Sequence, residues 1–322
     1  MGNLLEVSGL KKYFNTPAGQ LHAVDDVSFA IAEGKTLGVV GESGCGKSTL
    51  GRVVLGLSEA TDGEIRFQGE NITAVSKRRR KELRKDMQLI FQDPFSSLNP
   101  RLCVSELIAE PLQVNKICRS KKEIWDRTLE LMETVGFAQR LAFTYPHELD
   151  GGRRQRIGIA RALALNPKFV VCDEPVSALD VSIQAQILNL LQDLQEERGL
   201  TYIFITHDLS VVKHISDEIL VMYLGTVVEK CDAEGLFRQP LHPYTKGLLS
   251  AIPNPNLDAK RKRIILQGEI TSPVNPPEGC RFAARCPYAA EVCMQATPMF
   301  RELQPGHFVA CHRADELSRK IE

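Results

Sequence analysis

The sequence lacks a net charge and lacks long apolar runs. Lys+Arg and Asp+Glu both total 40 among 322 residues, so the formal net charge is +0 at pH 7. Because a broad nucleic-acid footprint needs an excess of basic residues, we expect no nucleic-acid partner. No apolar run approaches the roughly 20 residues that cross a bilayer, and the first residues lack the charged-then-apolar pattern of a signal peptide. We therefore expect a cytosolic chain whose membrane role comes through partners.

The sequence also has no internal repeat, and its length allows one large domain with an appendage, or two domains. Hydrophobic residues make up 43% and charged residues 25%, as in ordinary globular proteins. A basic run, KRRRKELRK at 77–85, has no aromatic residues among its charges. It therefore predicts a solvated helix face rather than a nucleic-acid patch.

A glycine-rich loop follows a short apolar strand at 36–40. Its sequence, GESGCGKST at 41–49, matches the pattern G-x-x-x-x-G-K-[ST] between a strand and a helix. Glycines let the backbone N–H groups face phosphate oxygens, Lys47 places a positive charge on the β- and γ-phosphates, and Ser48 can bind Mg²⁺. The candidate nucleotide contacts are Gly41, Ser43, Gly44, Cys45, Gly46, Lys47, Ser48 and Thr49.

Two further apolar strands end in polar residues. FVVCDEP at 169–175 brings Asp173, which would hold Mg²⁺ through water, and Glu174, which could polarise an attacking water. ITHD at 205–208 brings His207 to the same carboxyl edge of the predicted sheet, where nucleotides sit in open α/β folds. His207 would then bond the γ-phosphate and sense its loss.

A second glycine pair lies beside arginines in HELDGGRRQRIGIARAL, at 147–163. Glycines, basic residues and a following helix pattern indicate a phosphate-recognition element. It nevertheless carries an acid, Asp150, where phosphate would be met.

In this order the motifs resemble the nucleotide-binding subunits of ATP-binding-cassette (ABC) transporters. The resemblance implies that Tyr13 stacks on adenine and that Gln92, in FQDP, touches Mg²⁺ and water while facing the membrane partner. It implies that SALD at 177–180, ending in Asp180, crosses a dimer interface. It also places HELDGG where the family has LSGGQ, so that this element contacts the partner's ATP through Asp150, Gly151, Gly152 and Arg153.

Three longer stretches narrow the resemblance. FQDPFSSLNPR, DEPVSALDVSIQAQILNLL and HPYTKGLLSAIP are similar to the ATPase subunits of oligopeptide/dipeptide importers, a group that includes some nickel importers. The implied fold is α/β: an ABC domain at 1–238, with a RecA-like P-loop core, an antiparallel β subdomain and a helical subdomain at about 95–165. An irregular C-terminal extension follows at 239–322.

The same resemblance implies function and partners. We expect an ATPase that uses ATP and Mg²⁺ and lies peripherally at the cytoplasmic face of the cell membrane. Its expected partners are a second, homologous ATP-binding subunit, two transmembrane permease subunits and, indirectly, an extracytoplasmic solute-binding protein. The expected cargo is a di- or oligopeptide, and the alternative is nickel or a metal chelate.

Four cysteines are grouped near the end: Cys280, Cys286, Cys293 and Cys311. Their spacing is not the C-x2-C pair of a typical zinc ribbon, and irregular loops can wrap a larger cluster. Because several relatives in the importer family carry one here, the resemblance favours a [4Fe–4S] cluster. Zinc, or free thiols and a disulfide, are the alternatives.

The acid at 150 departs from the family pattern. Asp150 stands where the family has serine and Arg153 where it has glutamine. A carboxylate about 4 Å from a phosphate charge costs on the order of 4 kcal/mol at an effective dielectric of 20. We therefore expect a heterodimer with one slow or structural ATP site. In two milder interpretations, Asp150 caps the helix that opens at Gly151, or Arg153 pairs with it or reaches the phosphate.

Three rival functions fit less well. A soluble ABC ATPase acting on nucleic acid or ribosomes usually fuses two cassettes or inserts long coiled coils. An exporter cassette is disfavoured by the HPYT extension and the cysteines. Glu174 and His207 disfavour a non-hydrolysing regulatory cassette.

Overall fold

The protein, seen in a computed structural model, divides into two compact units. The structure describes residues 2–93, 97–252, 264–266, 268 and 272–319. The first unit consists mainly of Ala74–Ile205, with Ala32–Lys35. The second consists of Asn3–Ile31, Thr36–Thr73 and Thr206–Glu322.

The second unit contains two sets of paired strands. One is an antiparallel sheet in the order β2-β1-β4-β5, formed by β1 (Asn3–Thr16), β2 (Gly19–Ala32), β4 (Asp62–Phe67) and β5 (Glu70–Asn71). The other has the order β11-β12-β10-β9-β3, formed by β3 (Thr36–Val40), β9 (Glu218–Tyr223), β10 (Thr226–Asp232), β11 (Arg301–Gln304) and β12 (His307–Val309). Only β3 and β9 pair in parallel within this set. All five residues of β3 are buried, as expected for a strand of a covered parallel pair.

Six helices are described in the second unit. They are α1 (Lys47–Val54), α7 (Leu209–Ile215), α8 (Ala233–Arg238), α9 (Pro243–Ser250), α10 (Glu291–Gln295) and α11 (Ala314–Arg319). A 3-10 turn at Ala283–Arg285 precedes α10.

The first unit is built on three parallel strands. They are β6 (Met87–Ile90), β7 (Phe169–Asp173) and β8 (Thr201–Thr206), with β7 in the middle. The described helices of this unit are α2 (Lys77–Asp86), α3 (Val104–Val114), α4 (Lys121–Thr134), α5 (Gly151–Leu163) and α6 (Val181–Arg198). Every residue of β7 is buried, so the acid at its end is delivered from the interior of the unit.

The prediction of a solvated helix face at 77–85 is confirmed. The basic run forms α2, whose only buried residue is Leu83, so it is a solvated helix face. The helix after the second acid ends at Gly199, which adopts the left-handed conformation (φ 63°) expected of a glycine C-cap. Among the described residues, no helix has both the length and the apolar character that crossing a membrane requires.

The C-terminal segment contributes to the core of the second unit. Tyr223 of β9 meets Tyr244 of α9 and Phe282 edge-on, with ring centroids 4.8 and 5.2 Å apart. All three side chains are fully buried. Aromatic rings of this size dominate the burial of apolar area, so the segment after α9 is part of the packed unit.

A buried carboxylate ties this segment to β10. Glu229 is fully buried and accepts hydrogen bonds from the backbone N–H groups of Leu241 (2.6 Å) and His242 (2.9 Å). It also meets Nε2 of His307 at 2.7 Å. Burial lowers the pKa of His242 to about 4, so that imidazole is neutral near pH 7.

We predict that Glu229→Ala destabilises the protein strongly. The change leaves two buried N–H groups and a histidine without their acceptor, at about 1–3 kcal/mol for each unsatisfied group. Differential scanning calorimetry should show a clearly lower unfolding midpoint. Glu316→Ala is the matched control, because Glu316 pairs with Arg313 on the surface and exposed pairs contribute little. Equal shifts for the two variants would contradict this role of Glu229.

Candidate functional site

The glycine-rich loop connects β3 to α1, as the sequence predicts. Gly46 is the N-cap of α1 in the left-handed conformation (φ 103°), which favours glycine. A Cβ at Gly46 would overlap the carbonyl oxygen of Ala23, and a Cβ at Gly41 would overlap that of Met222. The loop therefore packs backbone against backbone on both sides, and no side chain fits at either position.

Lys47 is held in a fixed orientation by the loop. Its side chain is buried, and Nζ donates to the carbonyl oxygens of Gly41 (2.8 Å) and Glu42 (3.0 Å). An ammonium group has three donors, so these two bonds direct the charge along the loop. The phosphate-binding role of Lys47 stays a prediction.

The other loop residues differ in exposure. Ser43 and Gly44 are exposed, and Ser48 and Thr49 are half-buried in the first turn of α1. Cys45 is buried, and burial raises the pKa of its thiol, which makes it a weak nucleophile.

The residues present fit both a phosphate and Mg²⁺. In the described structure no side chain caps the N-terminus of α1 and its first turn contains no acid, so the positive end of this helix suits an anion. Taken separately, the hydroxyl of Ser48 in the second unit and the carboxylate of Asp173 in the first unit are each an oxygen ligand of the kind that Mg²⁺ prefers.

Tyr13 is fixed by its neighbours in the second unit. Its ring stacks on His22, with centroids 4.0 Å apart and planes 20° apart. Its hydroxyl donates to Asp25, which also pairs with Arg281. Burial raises the pKa of Tyr13, and the hydrogen bond to Asp25 raises it further. The phenol is therefore neutral, and its hydroxyl is held by the Asp25 carboxylate. One face of the ring is thus occupied by His22.

The acidic edge lies in the first unit, at the end of β7. Asp173 is buried, and Glu174 is half-buried with a left-handed backbone (φ 47°), which is uncommon outside glycine. The N–H of Glu174 donates to Ile205 O at 3.0 Å, and its carbonyl accepts from Ser177 Oγ at 3.1 Å. These bonds maintain the strained backbone that aims the carboxylate.

Gln92 meets Glu174 directly. Its Nε2 donates to Glu174 Oε2 at 3.0 Å, although 82 positions separate the two residues. The structure thus brings together two of the three residues predicted to be catalytic. The third, His207, is exposed, and it belongs to the second unit.

The element at 147–163 begins α5, and Asp150 is its N-cap. Asp150 Oδ1 accepts from the N–H of Arg153 at 2.8 Å, and Oδ2 lies 3.4 Å from Arg153 Nε. Both milder interpretations of Asp150, as a cap and as a partner of Arg153, are therefore confirmed. Both side chains remain more than half exposed.

The two glycines of this element pack against the next helical segment. A Cβ at Gly151 would meet Leu179, and one at Gly152 would come within 2.5 Å of Ile183. Asp180, between those residues, is the exposed N-cap of α6. Close packing at Gly151 and Gly152 therefore joins the signature, the element at 150–153 that stands where the family has LSGGQ, to the loop that ends at Asp180.

The predicted [4Fe–4S] cluster is not supported, and that prediction is corrected here. Within the described residues, which include Cys280, Cys286, Cys293 and Cys311, no group of three or more His, Cys, Asp or Glu could hold a metal ion. Burial raises the pKa of Cys280 to about 11 and also raises that of Cys286 and Cys311. These thiols are therefore protonated near neutral pH when no metal is bound. The C-terminal extension is therefore not shown to bind metal.

Three of the four cysteines pack against apolar side chains. Cys280 and Cys286 lie against the core that contains Phe282, and Cys311 lies against Leu241 and its neighbours. Free cysteines commonly have this role.

Sequence reasoning missed the residues that support the predicted ones. Asp25 and His22 hold Tyr13, and Arg285 holds Glu42 of the loop. Glu42 was inside a recognised motif and could have been singled out. No local pattern connects it with an arginine that lies 243 positions away.

Comparisons with known proteins agree with this geometry. The chain matches the family described as "ABC transporter" over residues 24–177 and "Oligopeptide/dipeptide transporter, C-terminal region" over 228–293. YkfD of Bacillus subtilis is 54% identical, covering 99% of this chain and 98% of YkfD. OppF, an oligopeptide transport ATP-binding protein of the same organism, is 52% identical over 97% of each chain.

A solved structure shows the same fold. It is a dimeric post-hydrolysis state of the ATP-binding cassette MJ0796 bound to ADP and Pi, at TM-score 0.66 and 29% identity. The match covers 71% of this chain and 98% of that one. The chain therefore has the ABC ATPase cassette fold with mixed α/β sheets.

We predict that Gly46→Ala weakens ATP binding by about tenfold or more. A left-handed conformation costs an L-residue roughly 1–2 kcal/mol, and the new Cβ would displace the loop from Ala23. Isothermal titration calorimetry on the full-length chain would measure the affinity. Gly158→Ala is the control, because an added Cβ there meets no atom within 4 Å. Equal affinities for the two variants would contradict the role given to the loop.

Proposed function

Since the chain belongs to the family of ABC transporter ATP-binding subunits of oligopeptide/dipeptide importers, and is an ATPase of that family, we propose that it powers the import of di- or oligopeptides. The observation that carries the proposal is the loop at 41–48, between a buried strand and a helix without a side-chain cap among the described residues. It occurs in a chain that matches the peptide importer subunits along almost its whole length.

We assign binding of the chain's own ATP to the loop and Tyr13. Lys47 and the N–H groups from Gly41 to Thr49 bind the β- and γ-phosphates, since these donors lie at the positive end of α1. Adenine stacks on the face of Tyr13 opposite His22, which the geometry of the Tyr13–His22 pair supports. Gly44 and Ser43, both exposed, complete the loop.

Hydrolysis is assigned to the acidic edge. Ser48, Asp173 and Gln92 would hold Mg²⁺, which when bound neutralises charge that develops on the phosphates. Glu174 polarises a water whose oxygen attacks the γ-phosphorus while the bond to the bridging oxygen breaks, giving ADP and phosphate. His207 donates to the γ-phosphate. The bond from Gln92 supports this assignment, because it holds the Glu174 carboxylate in one orientation.

The proposed partners are those of a peptide importer. A second ATP-binding subunit faces Asp180 and the signature at 150–153, and two permease subunits contact the region around Gln92. A solute-binding protein delivers the cargo outside the membrane. The chain would lie at the cytoplasmic face of that membrane, held by the permeases. The nickel or metal-chelate alternative is not favoured, because the relatives are peptide transport proteins.

We further propose that the two ATP sites are unequal. The site that uses this chain's signature would meet the charge of Asp150. Arg153 offsets part of that charge through its 3.4 Å pair with Asp150, and exposure screens it further. The remaining repulsion would slow this site, while the site built on Lys47 and Glu174 turns over normally.

The proposed hydrolysis predicts a specific effect of Glu174→Gln. The variant should keep its ATP affinity and lose at least about 100-fold in turnover, since general-base help typically contributes 10²–10⁴-fold. ATPase measurements on the assembled transporter, with ATP titrations on the full chain, separate the two quantities. Lys47→Ala is the companion variant and should lose affinity. Unchanged turnover in Glu174→Gln would refute the assignment.

The unequal sites predict that Asp150→Asn raises turnover at the site that uses this signature about 3- to 10-fold, as expected for removing a partly screened charge. The measurement is made on the assembled transporter carrying Glu174→Gln, in which the other site no longer dominates turnover. Asparagine caps helices as well as aspartate does, so α5 stays intact. Asp150→Ala, which removes cap and charge together, separates the helix effect from the charge effect. Equal turnover with and without Asp150→Asn in the Glu174→Gln background would contradict unequal sites of this origin.

A further inference from the structure

An arginine of the C-terminal extension forms an ion pair with a residue of the glycine-rich loop. Arg285 ends the 3-10 turn at Ala283–Arg285. Its Nη1 donates to Glu42 Oε2 at 2.7 Å and its Nη2 to Glu42 Oε1 at 3.0 Å. This bidentate pairing is the strongest geometry available to a carboxylate and fixes its orientation. Glu42 is the second residue of the GESGCGKS loop.

Glu42 is also held at both of its backbone groups. Its N–H donates to the hydroxyl of Tyr244 at 2.9 Å, and its carbonyl accepts from Lys47 Nζ at 3.0 Å. Tyr244 belongs to α9. Tyr244 and Arg285, both C-terminal to β10, therefore hold Glu42 in place. The orientation of Glu42 therefore also sets where the Lys47 ammonium lies.

Stability alone does not account for Arg285. Its side chain is 7% exposed, and its Nε has no hydrogen-bond partner among the described residues. A buried donor left unpaired is unfavourable, and an apolar residue of similar size often replaces a buried ion pair without loss of stability. An arginine at this position is explained by what it does to Glu42.

The negative charge of Glu42 explains why an arginine stands at position 285. A carboxylate in a loop that binds phosphates repels them. A carboxylate charge roughly 8 Å from a phosphate charge weakens binding on the order of 30-fold at an effective dielectric of 20. Arg285 cancels this charge and holds the carboxylate in place.

A second arginine, four positions earlier, makes equivalent contacts. Arg281 donates to Asp25, the residue that holds Tyr13, and to Leu224 O in the β9–β10 turn. The next residue of that turn, Gly225, donates its N–H to Cys45 O of the loop at 2.9 Å. Arg281 and Arg285 thus both reach elements assigned to the nucleotide.

We propose that Arg285 is a positioning residue for ATP that acts through Glu42, so that the C-terminal extension forms part of the nucleotide site. The proposal rests on the function proposed for the loop at 41–48. It predicts that the extension is needed for ATP affinity and not only for stability.

The test uses three changes in the full-length chain. Arg285→Gln should raise the dissociation constant for ATP about 10- to 30-fold, because it leaves Glu42 unpaired near the phosphates. Arg285→Lys should be intermediate, since it restores the charge but not the bidentate fork. Adding Glu42→Gln to Arg285→Gln should recover most of the affinity, because the uncompensated charge is gone.

Arg313→Gln is the matched control. Arg313 lies in the same extension and pairs with Glu316 on the surface, so this variant should bind ATP like the unaltered chain. In the assembled transporter, Arg285→Gln should raise KM for ATP at least tenfold while kcat changes less than about threefold, a split that general loss of structure would not produce. If Arg285→Gln fails to fold, Arg285→Lys and the double variant carry the same test.

Two results would overturn the proposal. One is unchanged ATP affinity in Arg285→Gln and Arg285→Lys alike. The other is a loss that the added Glu42→Gln does not relieve. Failure of the loop's proposed function gives a different result, in which the unaltered chain and Lys47→Ala bind ATP equally.

Discussion

Close packing of backbone against backbone at Gly46 is the constraint on which the nucleotide loop depends. The loop is pressed against Ala23 on one side, and Gly225 accepts from the N–H of Asp25 while donating to Cys45 O. These contacts involve main-chain atoms, so they persist whatever side chains surround them. They tie β2, the β9–β10 turn and the loop into one framework, and Tyr13 and Lys47 take their positions from it.

The parts of this framework that follow local rules could be predicted from the sequence. Buried strands that end in polar residues, a glycine loop before a helix, and a glycine at the end of α6 each depend on neighbouring positions alone. The structure places β3 and β7 where these patterns indicate, and Gly199 has the left-handed conformation that glycine favours at a helix end. The capping role of Asp150 was likewise available from residue type, since aspartate before a helix accepts the N–H groups that the first turn leaves free.

The contacts that set the chemistry could not be predicted in this way. Gln92 reaches Glu174, and Arg285 reaches Glu42, across separations of 82 and 243 positions. No spacing encodes such pairs, because they depend on how complete units fold. The metal cluster predicted from the cysteine spacing was wrong for a related reason. Four thiols near one another in sequence suggested a metal, whereas three of them, Cys280, Cys286 and Cys311, pack against apolar cores that contain Phe282 or Leu241.

The pairing of the extension with β2 has a consequence for synthesis. His22 N–H donates to Pro273 O, and Asn275 N–H donates to Gln20 O, so the extension adds a short stretch of pairing beside Tyr13. Ribosomes add about 5–20 residues per second, so Arg285 is made roughly 12–50 s after Glu42, which precedes it by 243 positions. During that interval the growing chain has a glycine loop without its counter-charge. On the role proposed for Arg285, maturation of the nucleotide site is therefore timed by translation of the extension, and a nascent subunit gains the affinity that Arg285 supplies only after that arginine has been made.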